Sequence, residues 1–182
     1  AEFVALAKKE PGKYSFASGG NGTSAHLTGE YLKLMAGIDM LHVPYKGATP
    51  AVNDVIAGQT SVFCGNLPPA IPHIKAGTLR ALGVTTLQRN AEIPDVPTIN
   101  ESYPGFESVA WFGYFAPKGT PPEIVNKFSR ELAAVIRLPE VREKLIAQGT
   151  DPVASPPAEF RRYIEAEIEK WTKVARAAKV QL

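Results

Sequence analysis

The 182 residues include 45% hydrophobic and 21% charged side chains, an ordinary globular composition that argues against a disordered chain. The 20 basic and 18 acidic residues leave a formal charge of +2 and form no basic stripe or tail, so no nucleic-acid partner is expected. The single cysteine, Cys64, allows no disulfide within this chain, and because no apolar run reaches about 18 residues we expect no membrane-spanning helix.

Short apolar runs alternate with helical segments over the first half of the chain. An opening helical pattern ends at the breaker pair Pro11-Gly12. Because no initiator Met, signal peptide or capping residue precedes it, the chain is expected to begin inside a larger protein. Strands are predicted over residues 14–18, 40–45, 61–64 and 79–86. Gly37 is expected to close the helix after the first strand, and Thr49 to cap the next helix. This alternation favours an α/β fold with a parallel sheet.

The second half of the chain is predicted to be mainly helical. Residues 92–105 contain three prolines and are expected to form a connector. A strongly apolar strand is predicted over 109–117, although the sequence supplies no obvious sheet neighbours for it. Thr120 and Glu123 are expected to form a capping box at the start of the next helix. The last helix, over about 155–179, has one apolar stripe that is predicted to pack in a core.

The loop that follows the first predicted strand contains groups that suit an anion. Gly20 and Gly22 allow backbone N–H groups to approach a ligand, and Thr23 and Ser24 add hydroxyl groups. The helix that follows presents unpaired N–H groups at its positive end. These features predict a site for a carboxylate or a phosphate. A plain glycine-rich turn capped by Ser24 is the alternative without a ligand.

The same loop matches a dinucleotide-binding pattern. GNGTSA, residues 20–25, fits G-x-G-x-x-G/A. A dinucleotide fold requires an acidic residue at the carboxyl end of the next strand. Asp39 precedes that strand instead, and Tyr45 and Lys46 stand at its end. The position of the acid therefore does not favour a nucleotide.

Little in the sequence indicates catalysis. No H-E-x-x-H, Cys-x-x-Cys or G-x-S-x-G motif occurs, so no metal site and no catalytic residue is predicted. Cys64 lies in an apolar run and is expected to be a buried, inert thiol. His42 is expected to be a packed strand residue. A hydrolase built on Ser24 and His26 stays open, although nothing places an acid behind that imidazole.

Five segments together resemble a known family: FASGGNGTSAHLTGEYLK, HVPYKGATPAVNDVIAGQ, NLPPAIPHIKAGTLRALGVTT, PDVPTINESYPGFESVAWFGYFAPKGTPPEIV and DPVASPPAEFRRYIEAEIEKW. They resemble the TctC/Bug family of periplasmic solute-binding proteins of tripartite tricarboxylate transporters. The resemblance implies a two-lobed, periplasmic-binding-protein-like (type II) α/β fold. Lobe 2 would cover 1–108, and the C-terminal part of lobe 1 would cover 109–182. The rest of lobe 1 is then expected outside this chain, and that segment or a second chain would complete the sheet.

The resemblance also implies a binding site for a small carboxylate, held by backbone amides and side chains. Carried onto this sequence, the expected contacts are Ser18, Gly19, Gly20, Asn21, Gly22, Thr23, Ser24 and His26, with Asn66, Tyr45, Lys46 and Trp111 as further candidates. The resemblance implies no cofactor and no enzyme activity. The expected partners are the carboxylate and the membrane subunits of the transporter, in the periplasm. The alternatives are a nucleotide-dependent oxidoreductase, a small hydrolase using GNGTSAH, and an assembly module that binds no solute.

Overall fold

A three-stranded parallel sheet organises the first part of the chain, within the residues 2–180 that the computed structural model describes. Its strands are β1 (Ser15–Ser18), β2 (Leu41–Pro44) and β3 (Val62–Phe63), in the order β2-β1-β3. They confirm the first three strands predicted from the sequence. The central strand β1 is paired along both edges and is buried from Phe16 to Ser18.

Helices connect these strands and make up most of the remaining chain. The described residues hold α1 (Glu2–Lys9), α2 (Ser24–Ala36), α3 (Ala48–Ile56), α4 (Ile71–Lys75), α5 (Pro122–Ile136), α6 (Pro139–Ala147) and α7 (Pro157–Ala177), with a 3₁₀ turn at Ile99–Glu101. Gly37 closes α2 in the left-handed conformation, with φ 61°, and its amide donates to the carbonyl of Lys33. The predicted glycine cap is thus confirmed. Within residues 2–180, no helix combines the length and the apolar character that crossing a membrane requires.

The core of the sheet unit fixes how α2 meets β1. Phe16 is 1% exposed and packs with Ala7, Ala36 and Met40. A Cβ atom added at Gly29 of α2 would come within 2.3 Å of the Phe16 ring. The helix can therefore approach the strand this closely only with a glycine at that position. This close approach also sets the first turn of α2 beside the end of β1.

The fourth predicted strand, over 79–86, is wrong. Only Val84 forms a bridge, with Thr98 in the connector. The Val84 amide donates to the carbonyl of Pro97 at 3.0 Å, and the Ile99 amide donates to the carbonyl of Val84 at 2.9 Å. Pro97 has no amide that could extend the ladder in one direction, and in the other direction the chain turns into the 3₁₀ helix at Ile99–Glu101.

The strand predicted over 109–117 is also wrong for this structure. The segment is irregular, and Phe112 and Tyr114 are 84% and 72% exposed. Among the described residues no strand lies beside it, so its backbone has no ladder to join. The segment is rich in residues that favour strands. This composition is not sufficient to form a strand, because a strand is stable only when it is paired.

Two predicted helix caps are also wrong. Thr120 donates to the carbonyl of Pro117 at 2.9 Å rather than forming a capping box, and α5 follows Pro121. Thr49 lies inside the first turn of α3, which begins after Gly47. The turn before α2 is capped by Thr23, and not by Ser24 as in the alternative without a ligand. In each case the helix begins one or two residues away from the predicted start.

The described residues form two compact units, 2–110 with 172–180, and Trp111–Trp171. The second unit contains α5, α6 and most of α7, with an aromatic cluster in which Trp111 packs edge-on against Phe160 and Tyr163. The apolar stripe predicted on α7 is only partly buried, since Ile168 is 60% exposed. The lobe boundaries predicted from the sequence, 1–108 and 109–182, stay a prediction.

Candidate functional site

The candidate site lies where β1 ends and α2 begins. Gly20 and Gly22 have φ values of 141° and 70°, conformations that favour glycine, and they turn the chain between the strand and the helix. The loop after β2 is bound to this turn, because the Tyr45 amide donates to the carbonyl of Ser18 at 2.9 Å. The Gly47 amide likewise donates to the carbonyl of Gly19 at 3.2 Å. The structure therefore places the glycine loop and the Tyr45–Gly47 loop side by side.

The loop is held in shape by side chains from its own flanks. Ser18 is fully buried, and its Oγ lies 3.2 Å from both the amide and the carbonyl oxygen of Gly20. Thr23 donates to the same carbonyl at 2.8 Å and accepts from the His26 amide at 3.3 Å. The Gly22 amide donates to His26 Nδ1 at 3.1 Å. The amides of Gly20 and Gly22 are thus already bound by the protein, which fixes the direction of their neighbours.

Other amides of the loop remain unpaired. Among residues 2–180, the amides of Asn21, Thr23 and Ser24 have no hydrogen-bond acceptor. They lie at the amino end of α2, where the helix dipole is positive, and the side chains of Asn21 and Ser24 are exposed. An anion placed here can accept several N–H bonds at once. This arrangement is the chemical basis of the site.

Two histidines lie beneath the loop. His26 is 6% exposed, and its ring stacks on His42 with centroids 3.8 Å apart and an 8° angle between the planes. Burial, with smaller contributions from His26 and Lys33, lowers the pKa of His42 from 6.5 to about 4. Burial also lowers the pKa of His26, partly offset by Glu30. Both imidazoles are therefore neutral at neutral pH.

His42 is the site residue that the sequence interpretation did not identify as functional. Its Nε2 lies 2.7 Å from Ser18 Oγ, directly under the loop. His42 lies opposite Phe16 in the parallel register, which brings its ring between Phe16 and His26. No spacing in the sequence indicates this contact because it depends on the strand register and on the path of α2.

The further predicted ligand contacts, Tyr45, Lys46, Asn66 and Trp111, lie in different parts of the structure. Tyr45 donates its hydroxyl to Asp54 Oδ2 of α3 at 2.7 Å, and this hydrogen bond raises the pKa of the phenol. Lys46 and Asn66 are exposed, and Asn66 follows β3 at the same edge of the sheet as the glycine loop. Trp111 lies in the second unit, and its contact with a ligand stays a prediction.

The described residues contain no assembled catalytic or metal centre. The side chains of Ser24 and His26 are not hydrogen-bonded to each other, and His26 Nδ1 instead accepts from the Gly22 amide. No group of three or more His, Cys, Asp or Glu side chains within residues 2–180 could hold a metal ion. Burial raises the pKa of Cys64 to about 12, so that its thiol stays protonated. The hydrolase alternative therefore has no structural support.

Comparison with known proteins identifies the family. Residues 1–180 match the family model described as tripartite tricarboxylate transporter family receptor, TctC. The chain belongs to this family. Among curated relatives of this receptor family, BugT of Bordetella pertussis is 37% identical over 180 residues, which cover 98% of this chain and 55% of BugT. The chain spans about half the length of the curated relatives it matches.

Solved structures of similar proteins confirm the α/β, periplasmic-binding-protein-like fold. Rpa4515 of R. palustris, with adipate, is 34% identical with a TM-score of 0.85, covering 98% of this receptor-family chain and 60% of that one. MatC of Rhodopseudomonas palustris, with bound malate, is 28% identical with a TM-score of 0.80, covering 95% and 60% respectively. The predicted membership of the TctC/Bug family is confirmed, and its neighbours are solute-binding proteins.

Proposed function

We propose that this protein binds a small dicarboxylate outside the cytoplasm and delivers it to the membrane subunits of a tripartite tricarboxylate transporter. The observation that carries the proposal is the group of unpaired amides of Asn21, Thr23 and Ser24 at the start of α2. A carboxylate is complementary to this group, since its two oxygens together accept several hydrogen bonds. Family membership supports the proposed transport role and the periplasmic location.

The shape of the loop favours a carboxylate held by backbone donors. The protein itself fixes the loop, because Ser18 and His26 accept from the amides of Gly20 and Gly22, and Thr23 donates to the carbonyl of Gly20. Such preorganisation reduces the entropy lost on binding. Lys46 is exposed on the adjoining loop and adds a positive charge at the same edge of the sheet. The adipate and malate in the two neighbouring structures indicate the size of ligand to test first.

A nucleotide is a poorer match for the same loop. The end of β2 provides Tyr45 and Lys46, where a ribose would require an acidic acceptor. The hydroxyl of Tyr45 is already bound to Asp54. Neither the family nor the structural neighbours point to nucleotide binding. We therefore assign the glycines to anion binding by a solute receptor.

A thermal-shift comparison of dicarboxylates with nucleotides tests the proposal. Malate or adipate at about a hundredfold above its Kd is expected to stabilise the fold by about 2.7 kcal/mol, which raises Tm by several degrees. The dimethyl ester of malate has the same carbon skeleton without charge and is expected to leave Tm unchanged. Stabilisation by NAD or ATP alone, with no response to any di- or tricarboxylate, would contradict the proposed function.

A further inference from the structure

The contacts of Ser18 favour one tautomer of His42. Ser18 Oγ lies near three groups, the amide of Gly20, the carbonyl of Gly20 and Nε2 of His42. The hydroxyl has one proton to donate and two lone pairs that can accept. If that proton goes to the Gly20 carbonyl, the oxygen can accept from both the Gly20 amide and an N–H at His42 Nε2. Only the Nε2–H tautomer of His42 therefore satisfies all three contacts.

A second path links the same imidazole to the loop. The Gly22 amide donates to His26 Nδ1 at 3.1 Å, which requires that this nitrogen carries no proton. The His26 ring lies flat on His42, which stacks in turn on Phe16 with centroids 4.7 Å apart. His42 thus supports the two loop glycines by separate routes, one through a hydrogen bond and one through ring stacking.

We propose that His42 is a positioning residue for the anion site, which holds the Gly20 and Gly22 peptides in the orientation that aims the intervening amide of Asn21 outward. The expected effect of His42 on ligand affinity rests on the proposed function. The expected effect of His42 on the loop geometry does not rest on it. His42 binds no ligand in this account, because its Nε2 is committed to Ser18 and its ring faces lie against Phe16 and His26. Such a part-buried network is sensitive to the loss of a single donor.

Two substitutions separate the hydrogen bond of His42 from its ring. His42→Phe keeps an aromatic ring in the stack and removes the donor to Ser18, whereas His42→Gln keeps an amide donor at the position of Nε2. His42→Phe is expected to weaken malate binding about tenfold, the cost of about one hydrogen bond in a buried network, and His42→Gln to restore Kd to within about threefold of the original. His73→Phe, which removes an imidazole from α4, serves as the matched control.

The decisive readout is the amide spectrum of the ligand-free protein, followed by a malate titration of each variant. In His42→Phe the ¹⁵N–¹H cross-peaks of Gly20 and Gly22 are expected to move, and in His73→Phe they are expected to stay. Unmoved glycine cross-peaks with unchanged Kd in His42→Phe would overturn the positioning role. Moved cross-peaks in a protein that binds no carboxylate would support the positioning role and overturn the proposed function. If His42→Phe does not fold, His42→Leu, which removes both the hydrogen bond to Ser18 and the stacked ring, takes its place and must move the same cross-peaks.

Discussion

Replacing Gly22 by alanine is expected to weaken malate binding by about ten- to hundredfold, equivalent to about 1.4–2.8 kcal/mol. Gly22 has a φ of 70°, which costs an alanine about 1–2 kcal/mol. The loop can relieve this strain only by rotating the peptide, which breaks the hydrogen bond from the Gly22 amide to His26 Nδ1. The neighbouring amides of Asn21 and Thr23 then point away from the anion. Isothermal titration calorimetry of the variant with malate measures the loss.

Gly58→Ala provides a control with matched backbone strain. Gly58 has a φ of 74°, close to that of Gly22, and a Cβ atom there would meet no other atom within 4 Å. It follows α3 at the end opposite to the site. Both variants are expected to lose a similar amount of stability, but only Gly22→Ala is expected to lose affinity. Equal affinity in the two variants would show that the loop conformation does not determine binding.

The free energy of unfolding is expected to fall by about 2 kcal/mol between pH 6.5 and pH 4 because of His42. Burial, aided by His26 and Lys33, lowers the pKa of this imidazole from 6.5 to about 4. Within that window the unfolded chain binds a proton at His42 and the folded protein does not, so stability decreases as the pH falls. The full shift corresponds to about 3 kcal/mol at about 1.4 kcal/mol per pH unit, and solvent contact of the ring reduces it.

Urea unfolding of the original protein and of His42→Phe across this pH range measures that contribution. The variant is expected to lose most of the slope, with a smaller slope left from His26, whose pKa burial also lowers. The Glu101 carboxyl affects stability at lower pH, because its hydrogen bond to Arg89 reduces its pKa from 4.5 to about 2. Gly58→Ala is expected to lower stability equally at every pH. Identical slopes in His42→Phe and the original protein would rule out a buried neutral imidazole.

The sequence was sufficient to predict the secondary-structure elements that depend only on neighbouring residues. The apolar runs that became β1, β2 and β3 are short and bounded by turns, and their positions follow from that pattern. Gly37 was predictable as a cap because a left-handed residue is needed within one turn of the helix end. The segment 109–117 has the same apolar character, yet it forms no strand because pairing depends on residues distant in sequence.

The candidate site likewise has some features that neighbouring residues predict and others that depend on residues distant in sequence. Its glycine loop was visible in the sequence, since Gly20 and Gly22 follow a strand and precede a helix. The choice of Thr23 over Ser24 as the cap depends on the hydrogen bond that Thr23 also gives to Gly20. The role of His42 was not visible, because it arises from the register with Phe16. Side chains that support a loop from beneath can be identified only from the three-dimensional structure.

An amide-resolved titration with malate shows directly whether a carboxylate binds at the start of α2. The chain, at 19.6 kDa, is small enough for ¹⁵N–¹H spectra, which also detect weak binding. The amides of Asn21, Thr23 and Ser24 are expected to shift most and to saturate together, while the amide of Gly58 is expected not to respond. Saturable malate binding that leaves these three amides unmoved, or no response to any dicarboxylate, would contradict carboxylate binding at the start of α2.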